Sequence, residues 1–276
     1  MKMTIKKVSA LLLFLFVNLP FAQASLGLYE SKMGTIGLSA LEGKYILIAI
    51  AGGQPTEAAT AGNCVIAARL VEKNNKLIGV LIPFESSYFS HEQLSSEERS
   101  IVLEMKDNTI VLEDVDTLGI CGLEVNFIDV YHKISKDSGN YKDNYLELLS
   151  LVHDISMSKY REKDLIGAIE TAKPYAEDLP LEWLNEPRQG EKLSEFINNY
   201  AFFLQRAGQP EAAIKLLKKL VGLKPNRTVA WLNLADAYWD AKQFTSARDC
   251  YAKYKRIMEE VNRGNAVPVR VHERLQ

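Results

Sequence analysis

The chain has 276 residues, of which 47% are hydrophobic and 25% are charged, and its formal net charge is −2 at pH 7. This length and apolar content suffice for one or two globular domains with buried cores. The near-neutral, mixed-sign charge argues against nucleic-acid binding, because nucleic-acid-binding proteins carry a basic patch or stripe.

Residues 1–24 have the three parts of a secretory signal peptide. Three lysines precede an apolar run at Ala10–Val17, and Ala22-Gln23-Ala24 matches an A-x-A cleavage site. The apolar run is too short to cross a bilayer, which takes about 20 residues. We therefore predict a bacterial periplasmic or secreted protein that begins at Ser25 and does not insert into the membrane. An uncleaved membrane anchor is the alternative.

Three cysteines follow this segment: Cys64, Cys121 and Cys250. In an oxidising compartment an even subset of cysteines tends to pair. Cys64 and Cys121 lie in the first half of the chain, each beside a glycine-bearing turn, so we expect a disulfide between them. Cys250 lies in a helical region and is expected to be a free thiol in or near the core. The alternative is that all three are unpaired buried thiols.

Residues 25–136 show the apolar runs and turn signals of β-structure. Two pairs of runs flank short turns, at Lys73-Asn74-Asn75-Lys76 and Asp107-Asn108, and asparagine tolerates the positive φ of tight hairpin turns. We predict six or seven antiparallel strands that form a small barrel or sandwich. The runs interpreted as strands are Gly27–Leu38, Tyr45–Ala51, Cys64–Val71, Leu77–Phe84, Ser100–Lys106, Thr109–Val115 and Leu123–Ile134.

Two long polar segments, Gly52–Gly62 and Glu85–Arg99, interrupt these runs and are interpreted as loops. Loops of this length often carry function. A polar linker at Ser135–Asn140 then separates the β region from a helical region, residues 141–276. We expect the two regions to be separable domains.

The helical region contains a pattern that recurs at a period of roughly 34 residues. The positions that match are Ile197 and Trp231, Tyr200 and Leu234, Ala201 and Ala235, Leu204 and Tyr238, Ala213 and Ala247, and Leu217 and Tyr251. This pattern resembles the tetratricopeptide repeat, in which small residues let two helices approach and large residues fill the space between helical hairpins.

The resemblance implies an α+β protein, in which an N-terminal antiparallel β barrel or sandwich precedes a stack of TPR-like helical hairpins. Two repeats are expected near 194–227 and 228–261. A degenerate first repeat is expected near 149–182, followed by an insertion at Trp183–Leu193. The tail after residue 261 is expected to lie along the last repeat as a partial helix or strap.

The sequence shows no constellation that is typical of an active site. The histidines have no close histidine partner, and the G-x-S-x-G, P-loop and G-x-G-x-x-G motifs are absent. The acidic cluster Glu113-Asp114-Asp116 lacks the spacing and the glycine of a calcium loop. We therefore expect no catalytic residue, no metal ion and no cofactor.

In proteins with this repeat, first-helix positions line a concave groove that holds a peptide or a helix. Matched by motif position, these groove residues are Glu195, Asn199, Phe202, Arg206, Val229, Asn233, Asp236 and Asp240. Some family members grip a C-terminal carboxylate with asparagines at the positions of Asn199 and Asn233, but the accompanying cations are mostly missing here. Alternatively, these asparagines hydrogen-bond to neighbouring helices. A groove containing Asp236 and Asp240 would suit a basic protein or peptide partner.

Export, the repeats and the absence of catalytic motifs favour a periplasmic binding or adaptor protein. The narrower alternative is an immunity or inhibitor protein that neutralises a toxin delivered to the periplasm. A third hypothesis is an enzyme with its chemistry near Cys64 or His91. Under the first hypothesis, replacing Phe202 and Asp236 by alanine is expected to weaken partner binding and to leave the melting temperature nearly unchanged.

Overall fold

A computed structural model provides the three-dimensional structure of the protein. It describes residues 25–41, 43–52, 63–84, 98–118, 120–122 and 125–276. The predicted signal peptide and most of the two predicted polar loops lie outside the described residues. Among the helices within these ranges, none combines the length and the apolar character that a bilayer crossing requires.

The N-terminal region is a closed barrel of eight antiparallel strands, in which each strand pairs with the next and the last pairs with the first. The strands are β1 Ser25–Glu30, β2 Gly34–Leu41, β3 Lys44–Gly52, β4 Asn63–Lys73, β5 Lys76–Leu81, β6 Ser100–Lys106, β7 Thr109–Val115 and β8 Asp129–Lys133. The predicted fold class is confirmed, but the predicted number of strands was too low. The run Gly27–Leu38 contains two strands, because the chain turns back between Ser31 and Gly34 without a strong turn dipeptide.

The two predicted hairpin turns are present. Asn74 and Asn75 both have positive φ, 52° and 62°, and they join β4 to β5 in the manner of a two-residue hairpin. Asp107, with φ of 46°, lies in the turn between β6 and β7. The last predicted strand was too long, since β8 begins only at Asp129 and the residues before it belong to the connection from β7.

This connection closes one part of the barrel core. Phe127 is buried among the interior side chains, and its carbonyl accepts a hydrogen bond from the Tyr131 hydroxyl at 2.8 Å. Cys121, also in the connection, forms the predicted disulfide with Cys64 on β4. Cys250 is a buried free thiol, as predicted. The disulfide therefore ties the β7–β8 connection to the opposite part of the barrel.

Three helical hairpins and a short final helix follow the barrel. The helices are α1 Tyr141–Arg161, α2 Leu165–Asp178, α3 Gly190–Arg206, α4 Pro210–Leu223, α5 Thr228–Asp240, α6 Phe244–Glu260 and α7 Val269–Leu275. The recurring alanines, Ala201, Ala213, Ala235 and Ala247, are fully buried, as close helix packing requires. A 3-10 turn at Leu181–Asn185 lies between α2 and α3.

The barrel and the first hairpin share one hydrophobic core. Strand β3 is apolar on both faces, because its alternate residues face the barrel interior and the helices. Ile46, Ile48 and Ile50 belong to the cluster that includes Leu148 and Tyr175 of the helices. The outward side chains of β3 are thus kept from water by the helices, while the separability of the two regions stays a prediction.

A glycine in β2 permits this close approach. A Cβ atom on Gly37 would lie 2.0 Å from the Tyr175 hydroxyl oxygen and 3.2 Å from Leu148 Cδ1. Beside it, the Thr35 hydroxyl donates a hydrogen bond of 2.6 Å to Asn144 Oδ1 on α1. The first hairpin is therefore seated directly on the outer wall of the barrel, and this fixes the position of α1 for the groove described next.

Candidate partner-binding groove

Helices α1 and α3, the first helices of consecutive hairpins, lie side by side and meet through their side chains. The predicted residues Glu195, Asn199, Phe202 and Arg206 recur every three or four positions and so share one face of α3. That face is directed at α1, since the Phe202 ring lies 5.5 Å from a ring of α1 and the Asn199 amide contacts a second α1 side chain. The structure thus brings these predicted residues to one groove.

An open cleft of about 520 Å³ lies between the N-terminal halves of α1 and α3. Apolar side chains form part of its walls, namely Leu146, Leu149, Leu193 and Phe196. Four carboxylates line it against a single lysine, Lys192; the carboxylates belong to Asp143, Glu147, Asp154 and Glu195. The cleft is therefore apolar in its walls and negative in its charge.

One of these carboxylates, Glu147, is exposed and borders the walls of the cleft. The surrounding cleft removes hydration from Glu147, and this desolvation raises the pKa of its carboxyl group. An arriving cation would stabilise the charged form of Glu147. The position is thus suited to receive a positive group from a binding partner.

The middle of the groove is a polar bridge between the two helices. Asn199 Nδ2 lies 3.0 Å from His153 Nε2 and 3.5 Å from Met157 Sδ. Burial lowers the pKa of His153, although the nearby Glu195 and Asp154 act in the opposite direction. The neutral ring therefore accepts at Nε2 the hydrogen bond that the amide donates.

Aromatic side chains form the other end of the groove, where α1 and α3 end. Tyr160 contacts Phe202 edge-on at 5.5 Å and stacks on Phe203 at 5.2 Å between ring centroids. Phe203 is buried, whereas Tyr160 and Phe202 are half-buried. Arg206, one turn further along α3, is exposed. This end of the groove presents an apolar surface on a rigid base.

The predicted role of Asp236 needs correction. Asp236 is buried and accepts hydrogen bonds from the Tyr251 hydroxyl at 2.5 Å, from Arg270 Nη2 at 2.9 Å and from Arg274 Nη1 at 2.7 Å. The Arg274 guanidinium also lies over the Trp239 ring, 4.8 Å from its centroid. The basic groups that Asp236 binds thus belong to the chain's own helix α7. Its replacement by alanine will therefore not leave the melting temperature unchanged.

Two of the remaining predicted residues on α5 hydrogen-bond to α3. Asn233 Nδ2 donates to Asn198 Oδ1 at 3.1 Å, and the exposed Asp240 accepts a hydrogen bond of 2.7 Å from Gln205 Nε2. Val229, at the start of α5, is exposed. The asparagines at both matched positions, Asn199 and Asn233, therefore hydrogen-bond to neighbouring helices, which is the second of the two arrangements considered from the sequence.

Sequence reasoning missed the contribution of α1. Asp143, Glu147 and Asp154 lie on one helical face, with Ser150 completing the same spacing that the groove residues of α3 have. This periodicity was available as a signal. It was missed because the first hairpin offers no clear motif position to match. Within the described ranges, no cluster of three His, Cys, Asp or Glu side chains is placed to hold a metal ion.

A family model described as tetratricopeptide repeat matches residues 204–259, from the end of α3 to the end of α6. The predicted repeat in the C-terminal half is thereby confirmed, and the barrel lies outside the match. No curated protein matches this chain.

Among solved structures, the chain is similar to a mutant of MamA and to "MamA 41-end from Desulfovibrio magneticus RS-1", at 12% and 14% sequence identity. Each comparison covers 46% of this chain and 90% of the other, with a TM-score of 0.21.

Proposed function

We propose that this protein, whose C-terminal half contains a tetratricopeptide repeat, is an exported, non-enzymatic module that binds a protein partner in the groove between α1 and α3. The observation that carries the proposal is the open cleft between these helices, with its apolar walls and its excess of carboxylates. The repeat family generally serves protein–protein interaction, which supports a binding role for this surface.

The groove is confined to the first two hairpins. At the third hairpin the carboxylate of Asp236 is already bound by Arg270 and Arg274 of α7. Between α1 and α3, by contrast, Glu147 and Glu195 line open space. The partner therefore binds towards the barrel end of the stack.

Charge complementarity indicates a basic partner segment. Four carboxylates against one lysine attract a cationic segment and disfavour an acidic one. The raised pKa of Glu147 is consistent with this preference, because a nearby cation would stabilise its charged form. A basic segment of an exported protein or peptide fits the cleft.

Two features support export and a location in the periplasm or outside the cell. The Cys64–Cys121 disulfide is of the kind that persists in oxidising compartments. Residues 1–24 have the pattern of a signal peptide. An adaptor that holds a basic partner in this compartment accounts for both features and for the groove.

An array of random peptides tests the proposal. The protein carrying the disulfide is expected to select lysine- and arginine-containing peptides, and Glu147→Lys with Glu195→Lys is expected to abolish or reverse the selection. The matched control is Glu211→Lys with Glu260→Lys, since these exposed carboxylates of α4 and α6 do not line the cleft. Selection that is unchanged by the cleft variant, or changed equally by the control, would exclude this groove as the binding site.

A further inference from the structure

We infer that the groove recognises a two-part segment, in which one lysine or arginine enters the acidic cleft and one aromatic or large apolar side chain packs on Tyr160 and Phe202. The two residues are three positions apart in an extended, polyproline II-like chain. This inference rests on the proposed function and specifies the chemistry of its partner.

The cationic subsite combines charge with apolar walls. Glu147 on α1 and Glu195 on α3 line the cleft from opposite sides, while Leu146 and Phe196 form apolar surface beside them. Lysine and arginine carry an apolar stem and a charged head, and they bury the stem when apolar surface is available. Such a side chain places its stem on the apolar walls and its charged head beside the carboxylates. A small cation lacks the stem, and an aliphatic residue lacks the charge.

The apolar subsite is the half-buried pair Tyr160 and Phe202. Their edge-on contact at 5.5 Å, backed by the buried Phe203, holds the two rings in a fixed arrangement. By motif position Phe202 corresponds to Asp236 in the next hairpin, where α7 provides the covering contacts. Aromatic side chains on a rigid base are typical of the residues that contribute most to binding interfaces.

The polar bridge between the subsites makes few demands on the partner. Asn199 Nδ2 and His153 Nε2 already pair with each other across the groove at 3.0 Å. The residues of the partner that cross this bridge are therefore not selected by it. Specificity comes from the two ends of the groove.

The distance between the subsites sets the spacing in the partner. Glu195 and Phe202 are two helical turns apart on one face of α3, which corresponds to about 10 Å at a rise of about 1.5 Å per residue. A polyproline II segment places residues i and i+3 on the same side, about 9 Å apart. In a β-strand, same-side residues lie about 7 or 13 Å apart, and neither distance fits.

An α-helical partner reaches the same distance with a spacing of seven residues. A polyproline II segment covers it with only three residues. The spacing of the two recognised side chains therefore separates an extended partner from a helical one.

Synthetic peptides with one lysine and one phenylalanine in a serine–proline background test the inference by calorimetric titration. The spacings compared are i+2, i+3 and i+7, and further i+3 peptides replace the lysine or the phenylalanine by alanine. The i+3 peptide is expected to bind about tenfold more tightly than each of the others, a difference typical of one well-placed contact.

Protein variants then assign each half of the peptide to its subsite. Glu147→Gln with Glu195→Gln is expected to remove the advantage of lysine over alanine but to keep that of phenylalanine, and Phe202→Ala is expected to do the reverse. Glu211→Gln with Glu260→Gln is the control. The alanine-containing peptides test each subsite on the unaltered protein, in case Phe202→Ala lowers stability.

The failures of the two proposals are distinguishable. If lysine peptides are preferred through Glu147 and Glu195 but the spacing has no effect, the two-part inference is wrong and the proposed function stands. A preference for the i+7 peptide overturns the extended conformation. If lysine brings no advantage at any spacing, or no peptide binds, both proposals are wrong.

Discussion

The two ends of the helical stack are closed in different ways. At the first hairpin, α1 and α2 pack on the barrel wall through apolar side chains, and Gly37 provides the space. At the last hairpin, α7 closes the stack with two arginines bound to one buried carboxylate, Asp236, beside the buried Val271. A repeat stack needs both ends covered, because each repeat buries its apolar face only against a neighbour.

The difference between the two ends of the helical stack explains where the groove is open. The barrel covers the outer side of the first hairpin and leaves the α1 face that is directed at α3 accessible. Helix α7 instead binds Asp236, a residue predicted to line the groove, through Arg270. The apolar end depends on shape, whereas the ionic end depends on paired charges that are costly to separate once they are buried. Each end is therefore sensitive to a different kind of substitution.

Filling the space at Gly37 should have the largest effect. Gly37→Val is expected to lower the free energy of unfolding by about 4 kcal/mol, since its side chain meets Tyr175 and Leu148 where the barrel and the helices touch. Urea denaturation followed by circular dichroism measures the loss. Gly122→Val is the control, because a Cβ there meets nothing within 4 Å. Equal stability of the two variants would mean that the helices are not seated on this wall.

Removing the carboxylate at the other end should have the next largest effect. Asp236→Ala is expected to cost about 3 kcal/mol, because it leaves Arg274 and the Tyr251 hydroxyl without their shared acceptor. The exposed Asp240→Ala serves as the control and should stay within about 0.5 kcal/mol. Urea is again the denaturant, since guanidinium salt screens charges. A loss no greater than that of the control would show that α7 is not held by this cluster.

A substitution that removes one oxygen should strengthen the barrel end. The Tyr175 hydroxyl is buried and has no hydrogen-bond partner among the described residues. Tyr175→Phe is therefore expected to stabilise the protein by about 1 kcal/mol, since it removes an unsatisfied polar group. Tyr175→Phe should also recover part of the stability that Gly37→Ala loses, because the added Cβ atom would lie 2.0 Å from the Tyr175 hydroxyl oxygen. Additive effects of the two substitutions would contradict the contact.

The smallest expected effect is a pH dependence of stability that originates at the first hairpin. Burial holds the pKa of His153 below its usual value near 6.5, so the unfolded chain takes up a proton first as the pH falls. The stability contributed by the neutral ring is complete above pH 6.5 and is lost as the pH falls through the lowered pKa. The slope is at most about 1.4 kcal/mol per pH unit.

Comparing stability at pH 7 and pH 5 measures this effect. His153→Gln should reduce the difference, while His132→Gln, on the exposed face of β8, should not. A pH dependence that both variants share would place its origin elsewhere in the protein.

Several features follow from the amino-acid sequence alone, because short-range patterns specify them. The repeated alanines and aromatics determine the helical hairpins, and Asn74-Asn75 determines a tight turn through its tolerance of positive φ. The pairing of Cys64 with Cys121 was predictable from their turns and the inferred compartment. On α3, motif position was enough to place Glu195 and Phe202 on the groove face.

Other features were decided only by the tertiary structure, because they join residues that are remote in the sequence. No local pattern links Asp236 to Arg270 and Arg274 or shows that Gly37 faces Tyr175. The outward apolar face of β3 was also ambiguous, since a continuous apolar run does not tell which side will be covered. The acidic cleft is formed where α1 and α3 lie side by side, and the packing of the hairpins on one another decides that arrangement. Its charge was present in the sequence, but its shape depended on how the helices and the barrel pack.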